Sequence, residues 1–128
     1  MKIASIDIGL KRVGIAISLN NIILPQEAII RKNRNQASRD VSKFLRDYKI
    51  DTLIIGVPIG GASEEDMRKR VKHFSSLLDF DGNIYFQDES YTSFEAKEMT
   101  HGIIKQKRDG RLDSISAKLI LQRWVDEN

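Results

Sequence analysis

Three runs dense in Ile, Val and Ala fill the first thirty residues: Lys2 to Ile8, Val13 to Leu19 and Ile22 to Ile30. They predict three consecutive strands. The breaks between them, Gly9 to Arg12 and Leu19 to Asn21, are short enough that neighbouring strands should pair as antiparallel hairpins. Pro25 lies inside the third run and cannot donate to a ladder. That strand is therefore expected at the sheet edge, or bulged there.

After the polar stretch RKNRNQASRD the period changes, with Val41, Phe44, Leu45 and Tyr48 on one helical face of a first helix. The run Thr52 to Val57 (TLIIGV) has no alternation, which suits a central strand covered on both faces. Gly56, Pro58, Gly60 and Gly61 end it. Ser63 with Asp66 resembles a capping box, and Met67, Val71, Phe74, Leu77 and Leu78 follow at helical spacing, predicting a second helix from Glu64 to about Leu78. A turn from Asp79 to Asn83 and a short strand from Ile84 to Gln87 lead to the acids Asp88 and Glu89. Thr92 with Glu95 matches a capping box opening a third helix. A polar loop from Gly102 to Leu112 precedes a last helix from Asp113 to about Val125.

A strand meander leading into βαβ crossovers predicts an α/β fold, with a mixed sheet and helices on both faces. With no repeat and no linker, residues 1–128 should form a single domain. The chain carries 21 Lys+Arg against 18 Asp+Glu, a net charge of +3, which permits a nucleic-acid partner without requiring one. It has no cysteine, which excludes disulfides and Cys-based zinc sites. No apolar run approaches the roughly 18 residues of a membrane span, and Asp7 comes too early for a secretory leader. A cytoplasmic protein without membrane contact is expected.

Asp7 interrupts an otherwise apolar strand, so a carboxylate stands where burial calls for compensation. A salt bridge to Lys11 or Arg12, or a turn-capping role before Gly9, would account for it. Glu89 stands just past the last strand, where ligands gather in open α/β sheets; a solvated acid favouring the next helix N-terminus would look the same. Asp88 has the same two readings. Asp113 could be the N-cap of the last helix. It also shares a helical face with Ala117, Ile120, Leu121 and Trp124, the face that must pack on the sheet.

Together, Asp7, Glu89 and Asp113 could converge at one sheet edge as oxygen ligands for Mg²⁺ or Mn²⁺. His73 and His101 read as structural or solvated rather than as ligands. Two such cations about 4 Å apart would suit phosphodiester hydrolysis. Lys105, Lys107, Arg108 and Arg111 precede Asp113, and Lys11 and Arg12 follow Asp7, so both clusters could hold a polyanion. A solvated segment would also explain the loop. Tyr85, Phe86 and Tyr91 could stack on bases, although alternating aromatics in a short strand more often belong to a core.

The segments DIGLKRVGIAIS (Asp7 to Ser18), IIGVP (Ile54 to Pro58), DESYTSFEA (Asp88 to Ala96) and LDSISAKLILQRW (Leu112 to Trp124) together resemble the YqgF/RuvX family over essentially the whole chain. The resemblance implies an RNase H-like fold: a five-stranded mixed sheet, three antiparallel strands then two parallel. It implies a metal-dependent nuclease that matures the 5′ end of pre-16S rRNA or resolves Holliday junctions. By motif position, Asp7 matches the family's first-strand acid, Glu89 the acid of its Asp-Glu-Arg motif and Asp113 the final-helix acid. Lys11 and Arg12 match its basic pair, and Lys107, Arg108 and Arg111 fall in its basic segment. The chain departs from the pattern at Ser90, where the family carries arginine, and at Ile59 to Ser63, where the family carries Asn-Met-Asp-Gly.

The expected function is thus a Mg²⁺- or Mn²⁺-dependent endonuclease on structured RNA or branched DNA, with ribosomal RNA processing preferred. Junction resolution needs two sites related by symmetry, and nothing in the chain announces a dimer interface, so a monomer or weak homodimer is expected. Two alternatives stand beside it. One is a noncatalytic RNase H-like binding module, suggested by Ser90. The other is an actin-like ATPase, suggested by Asp7-x-Gly9-x-x-x-x-Gly14, which would need a second lobe.

Overall fold

The computed structural model describes residues 2–57, 64–88 and 111–128, with residues 111–113 described by backbone alone. Its strands are β1 (Ile3–Ile8), β2 (Arg12–Leu19), β3 (Ile22–Ile30), β4 (Thr52–Val57) and β5 (Asn83–Asp88). Its helices are α1 (Arg34–Asp47), α2 (Glu64–Ser76) and α3 (Arg111–Glu127). The expected third helix from Thr92, the Ser63 cap and Tyr91 lie outside the described residues.

The five strands form one sheet in the order β3-β2-β1-β4-β5. β1 pairs antiparallel with β2, and β2 with β3, while β4 runs parallel to both β1 and β5. This is the expected mixed sheet. β3 is the edge strand, which accommodates Pro25 opposite Ala16; the register shift between β2 and β3 falls nearer the other end of the pair, between Val13 and Ile15.

Strand alternation sends side chains to two cores. Ala4, Ile6, Val13, Ile15, Leu53 and Ile55 pack with Ala37, Val41 and Leu45 of α1 and Val71 and Phe74 of α2. On the other face Ile3, Ala16 and Ile54 meet Ala117, Ile120 and Leu121 of α3. All six residues of β4 are buried, as the unbroken run TLIIGV predicts for a strand roofed on both faces.

Three boundaries differ from expectation. Most of the polar stretch before Val41 is already helical: α1 starts at Arg34, capped by Asn33, whose side chain accepts from the Gln36 N–H while Gln36 returns to the Asn33 N–H. Its first turns bury only Ala37 and Ser38, so no large apolar residue marks the helical period there. α2 ends at Ser76 rather than Leu78, its last carbonyls taken by tighter bonds from Leu77 N–H to Phe74 and Leu78 N–H to Ser75. α3 starts at Arg111, so Arg111 and Leu112 belong to the helix and not to the basic loop.

Candidate functional site

Asp7 is the next-to-last residue of β1 and lies directly across the antiparallel pair from Gly14. It is half-buried and shares the α3 face of the sheet with Ile3 and Ser5. A glycine opposite adds no side chain beside the carboxylate, as in strands where a ligand or a second backbone comes close.

Two buried hydrogen bonds fix α3 above this position. The Ser5 hydroxyl donates to the Ala117 carbonyl at 2.6 Å, and the Ile15 N–H donates to the Ser114 hydroxyl at 3.2 Å. Ile15 adjoins Gly14, so the N-terminal turn of α3 stands over the Asp7–Gly14 pair. Asp113 immediately precedes Ser114 and lies inside that turn, which sets aside the reading of Asp113 as the N-cap.

The carboxyl ends of β1, β4 and β5 share one end of the sheet, with Ile6 level with Ile55 and Ile55 level with Phe86. Glu89 follows the last residue of β5 in the chain and lies outside the described residues. Its neighbour Asp88 meets two cations that the sequence did not single out. Arg68 of α2 approaches the carboxylate at 3.9 Å, and Arg123 of α3 donates to the carbonyl at 3.3 Å. Arginine is thus supplied beside Asp88 from two helices, while position 90 carries serine.

Lys11 and Arg12 sit in and just after the β1–β2 turn. The turn is tight: Gly9 N–H donates to the Arg12 carbonyl at 2.9 Å, and a Cβ at Gly9 would lie 2.6 Å from that oxygen. Arg31 clamps it from the end of β3, its guanidinium donating to the Gly9 carbonyl at 2.8 Å and its N–H to the Lys11 carbonyl at 2.9 Å. The same guanidinium lies 5.9 Å above the Phe74 ring. Its pKa is lowered, first by partial burial and then by the positive charges of Arg34 and Arg70.

Of the remaining expected contacts, Lys105, Lys107, Arg108 and His101 lie outside the described residues, and Arg111 opens α3. His73 is exposed, with Nδ1 held by Arg34 at 2.7 Å. Tyr85 and Phe86 are each 46% exposed rather than core residues, because β5 is the second edge of the sheet. Tyr85 packs against Trp124 with ring centroids 5.5 Å apart. Among the described residues no three acidic or histidine side chains gather into a metal cluster; of the expected trio, Asp7 alone has a described side chain.

Comparison with known proteins adds to this geometry. The family description "RuvX: Holliday junction resolvase" matches residues 1–127. A protein from Sulfurovum sp. named "Putative pre-16S rRNA nuclease" is 55% identical over 98% of this chain and 98% of its own. Its namesake in Campylobacter lari is 53% identical over 95% of each. Among solved structures, T. thermophilus RuvC in complex with a Holliday junction substrate superposes with a TM-score of 0.65 at 8% identity, covering 99% of this chain and 96% of that one. The fowlpox virus Holliday junction resolvase gives 0.57 at 16% identity, covering 100% of both. These two likenesses establish the resolvase-type, RNase H-like fold. With a match from the first strand to the end of α3 and relatives more than half identical along that length, the chain belongs to the RuvX family.

Proposed function

We propose that this protein is a divalent-metal-dependent endonuclease that hydrolyses phosphodiester bonds in structured RNA and trims the 5′ end of pre-16S rRNA. The observation that carries this reading is Asp7: a half-buried carboxylate at the carboxyl end of a central strand, opposite glycine, beneath the first turn of the helix that contains Asp113. The 55% identical relative supports ribosomal RNA as the substrate.

An acid set without cysteine, and with His73 engaged by Arg34, suits a hard cation. Asp7, Glu89 and Asp113 would hold Mg²⁺ or Mn²⁺. When bound, a pair of such cations supplies a nucleophilic water near neutral pH and neutralises charge developing on the phosphate. The protein's own residues do the positioning. Lys11 and Arg12, on a turn fixed by Gly9 and Arg31, hold substrate phosphates, and Lys105, Lys107, Arg108 and Arg111 are further phosphate-holding residues on this reading. Trimming a single RNA strand needs one such centre, so a cytoplasmic monomer or weak homodimer suffices, whereas symmetric junction cutting needs two.

The test is cleavage of a pre-16S rRNA fragment and a four-way DNA junction, side by side in Mg²⁺ and in Mn²⁺, with Asp7→Asn as control. Cutting of the RNA that disappears in Asp7→Asn is the expected result. Cutting of the junction alone would transfer the same centre to DNA resolution. Binding without cutting in either metal would leave a noncatalytic module.

A further inference from the structure

The groove between α1 and α2 carries a concentration of positive charge that the nuclease reading does not use. Arg34 opens α1 and reaches across to α2, where its guanidinium meets His73 Nδ1 at 2.7 Å. Arg70 lies on α2 one turn before His73 and is exposed. Arg31 stands between the helices and the β1–β2 turn, close enough to both arginines that their charges depress its pKa.

Among the described residues no ion pair relieves this crowding. Some cations elsewhere on the described surface sit beside carboxylates: Lys43 by Asp47, Arg46 by Asp79, Arg68 by Glu64 and Lys69 by Glu65. Among the described residues no carboxylate pairs with Arg31, Arg34 or Arg70. Like charges held together without a counter-charge cost stability, and an incoming polyanion removes that cost. The cluster is also continuous with the candidate site. Arg12 is level with Ile30 across the β2–β3 pair, and Arg31 bonds the Gly9 and Lys11 backbone, so Lys11, Arg12, Arg31 and Arg34 follow one another from the end of β1 onto α1.

We propose that Arg34 and Arg70 form a second phosphate-binding subsite, which grips the backbone of the nucleic-acid substrate where it passes round the β1–β2 turn from the cutting centre on the α3 face to α1 and α2 on the other. The ligand class is a polynucleotide, because the basic residues are strung out along a path from the β1–β2 turn and not closed around a single anion. The proposal rests on the nuclease reading. Arg31 is a positioning residue here: it ties the β1–β2 turn to the groove.

The experiment measures dissociation constants of a fluorescein-labelled stem-loop RNA with a single-stranded flank, and of a labelled four-way DNA junction, across a salt series without divalent metal. Each phosphate contact removed lowers the slope of log K against log salt by about 0.7 for a single strand and about 0.9 for duplex DNA. Arg34→Gln/Arg70→Gln should therefore lose about 1.4 to 1.8 from the wild-type slope. Arg70→Gln alone, which disturbs no hydrogen bond described here, should lose about half of that. Lys43→Gln/Lys69→Gln removes the same net charge elsewhere and should leave the slope unchanged. An unchanged slope in the arginine variants, or an equal loss in the lysine pair, would overturn the subsite while leaving the nuclease reading intact. Wild-type protein that bound neither probe would overturn both.

Discussion

The hydroxyl of Ser114 accepts the backbone N–H of Ile15 at 3.2 Å, inside the protein and across 99 residues of sequence. Both groups are buried, so the bond sets the height and rotation of the first turn of α3 over β2. Removing the hydroxyl leaves the Ile15 N–H without its side-chain acceptor. Ser114→Ala should lower unfolding free energy by about 1–3 kcal/mol, read by urea titration. Cleavage should fall beyond what the unfolded fraction explains, because the backbone of Asp113 moves with the turn.

Asp7→Asn keeps the size of the side chain and removes its charge. If Asp7 is a metal ligand, as proposed, its loss should cost more than the 10–100-fold typical of a residue that merely orients one, so cleavage should fall by at least about 100-fold. Circular dichroism and thermal unfolding should stay close to wild type. A variant that still cut at the wild-type rate would remove Asp7 from the centre.

Gly9→Ala tests the β1–β2 turn. The added methyl would meet the Arg12 carbonyl at 2.6 Å, a backbone atom that cannot swing away. The turn must open, at a cost of about 1–3 kcal/mol. Affinity for RNA should drop together with stability, since Lys11 and Arg12 ride on the displaced segment.

Asp51 gives a pH signature. Its carboxylate accepts the Lys2 N–H at 2.8 Å and the Thr52 hydroxyl at 2.9 Å, and these bonds, the Lys2 one first, hold its pKa below the usual value. A depressed carboxyl pKa stabilises the fold fully above the unfolded value of about 3.9 and loses that contribution as the pH falls through the folded value. The gap in urea midpoint between wild type and Asp51→Asn should therefore be constant near neutrality and close below about pH 4. The group is exposed, so the gap should be small.

Much of the sheet could be read from residue order, because β-branched runs, short polar breaks and one unalternating segment leave few ways to assemble it. Pro25 at the edge followed from its missing N–H, and the wholly buried β4 from its unalternating apolar run. The start of α1 did not, since Asn33 and Gln36 form a capping box whose second member is Gln, followed by a turn that buries only small residues. Asp7 stood out as a charge in an apolar strand. Arg31, Arg34 and Arg70 did not, because they are spread over three elements and meet only after α1 and α2 dock on the sheet. Arg68 and Arg123 escaped notice for the same reason: only the fold brings them to Asp88.

The helix that roofs Asp7 is made after every strand of the sheet. On a ribosome the five strands with α1 and α2 can collapse first, with Ile3, Ala16 and Ile54 still open to water until α3 emerges and covers them. In the order of synthesis Asp7 is thus placed on the sheet before the helix that stands over it exists, and the pairing of Ser114 with Ile15 can form only once the strands are in register.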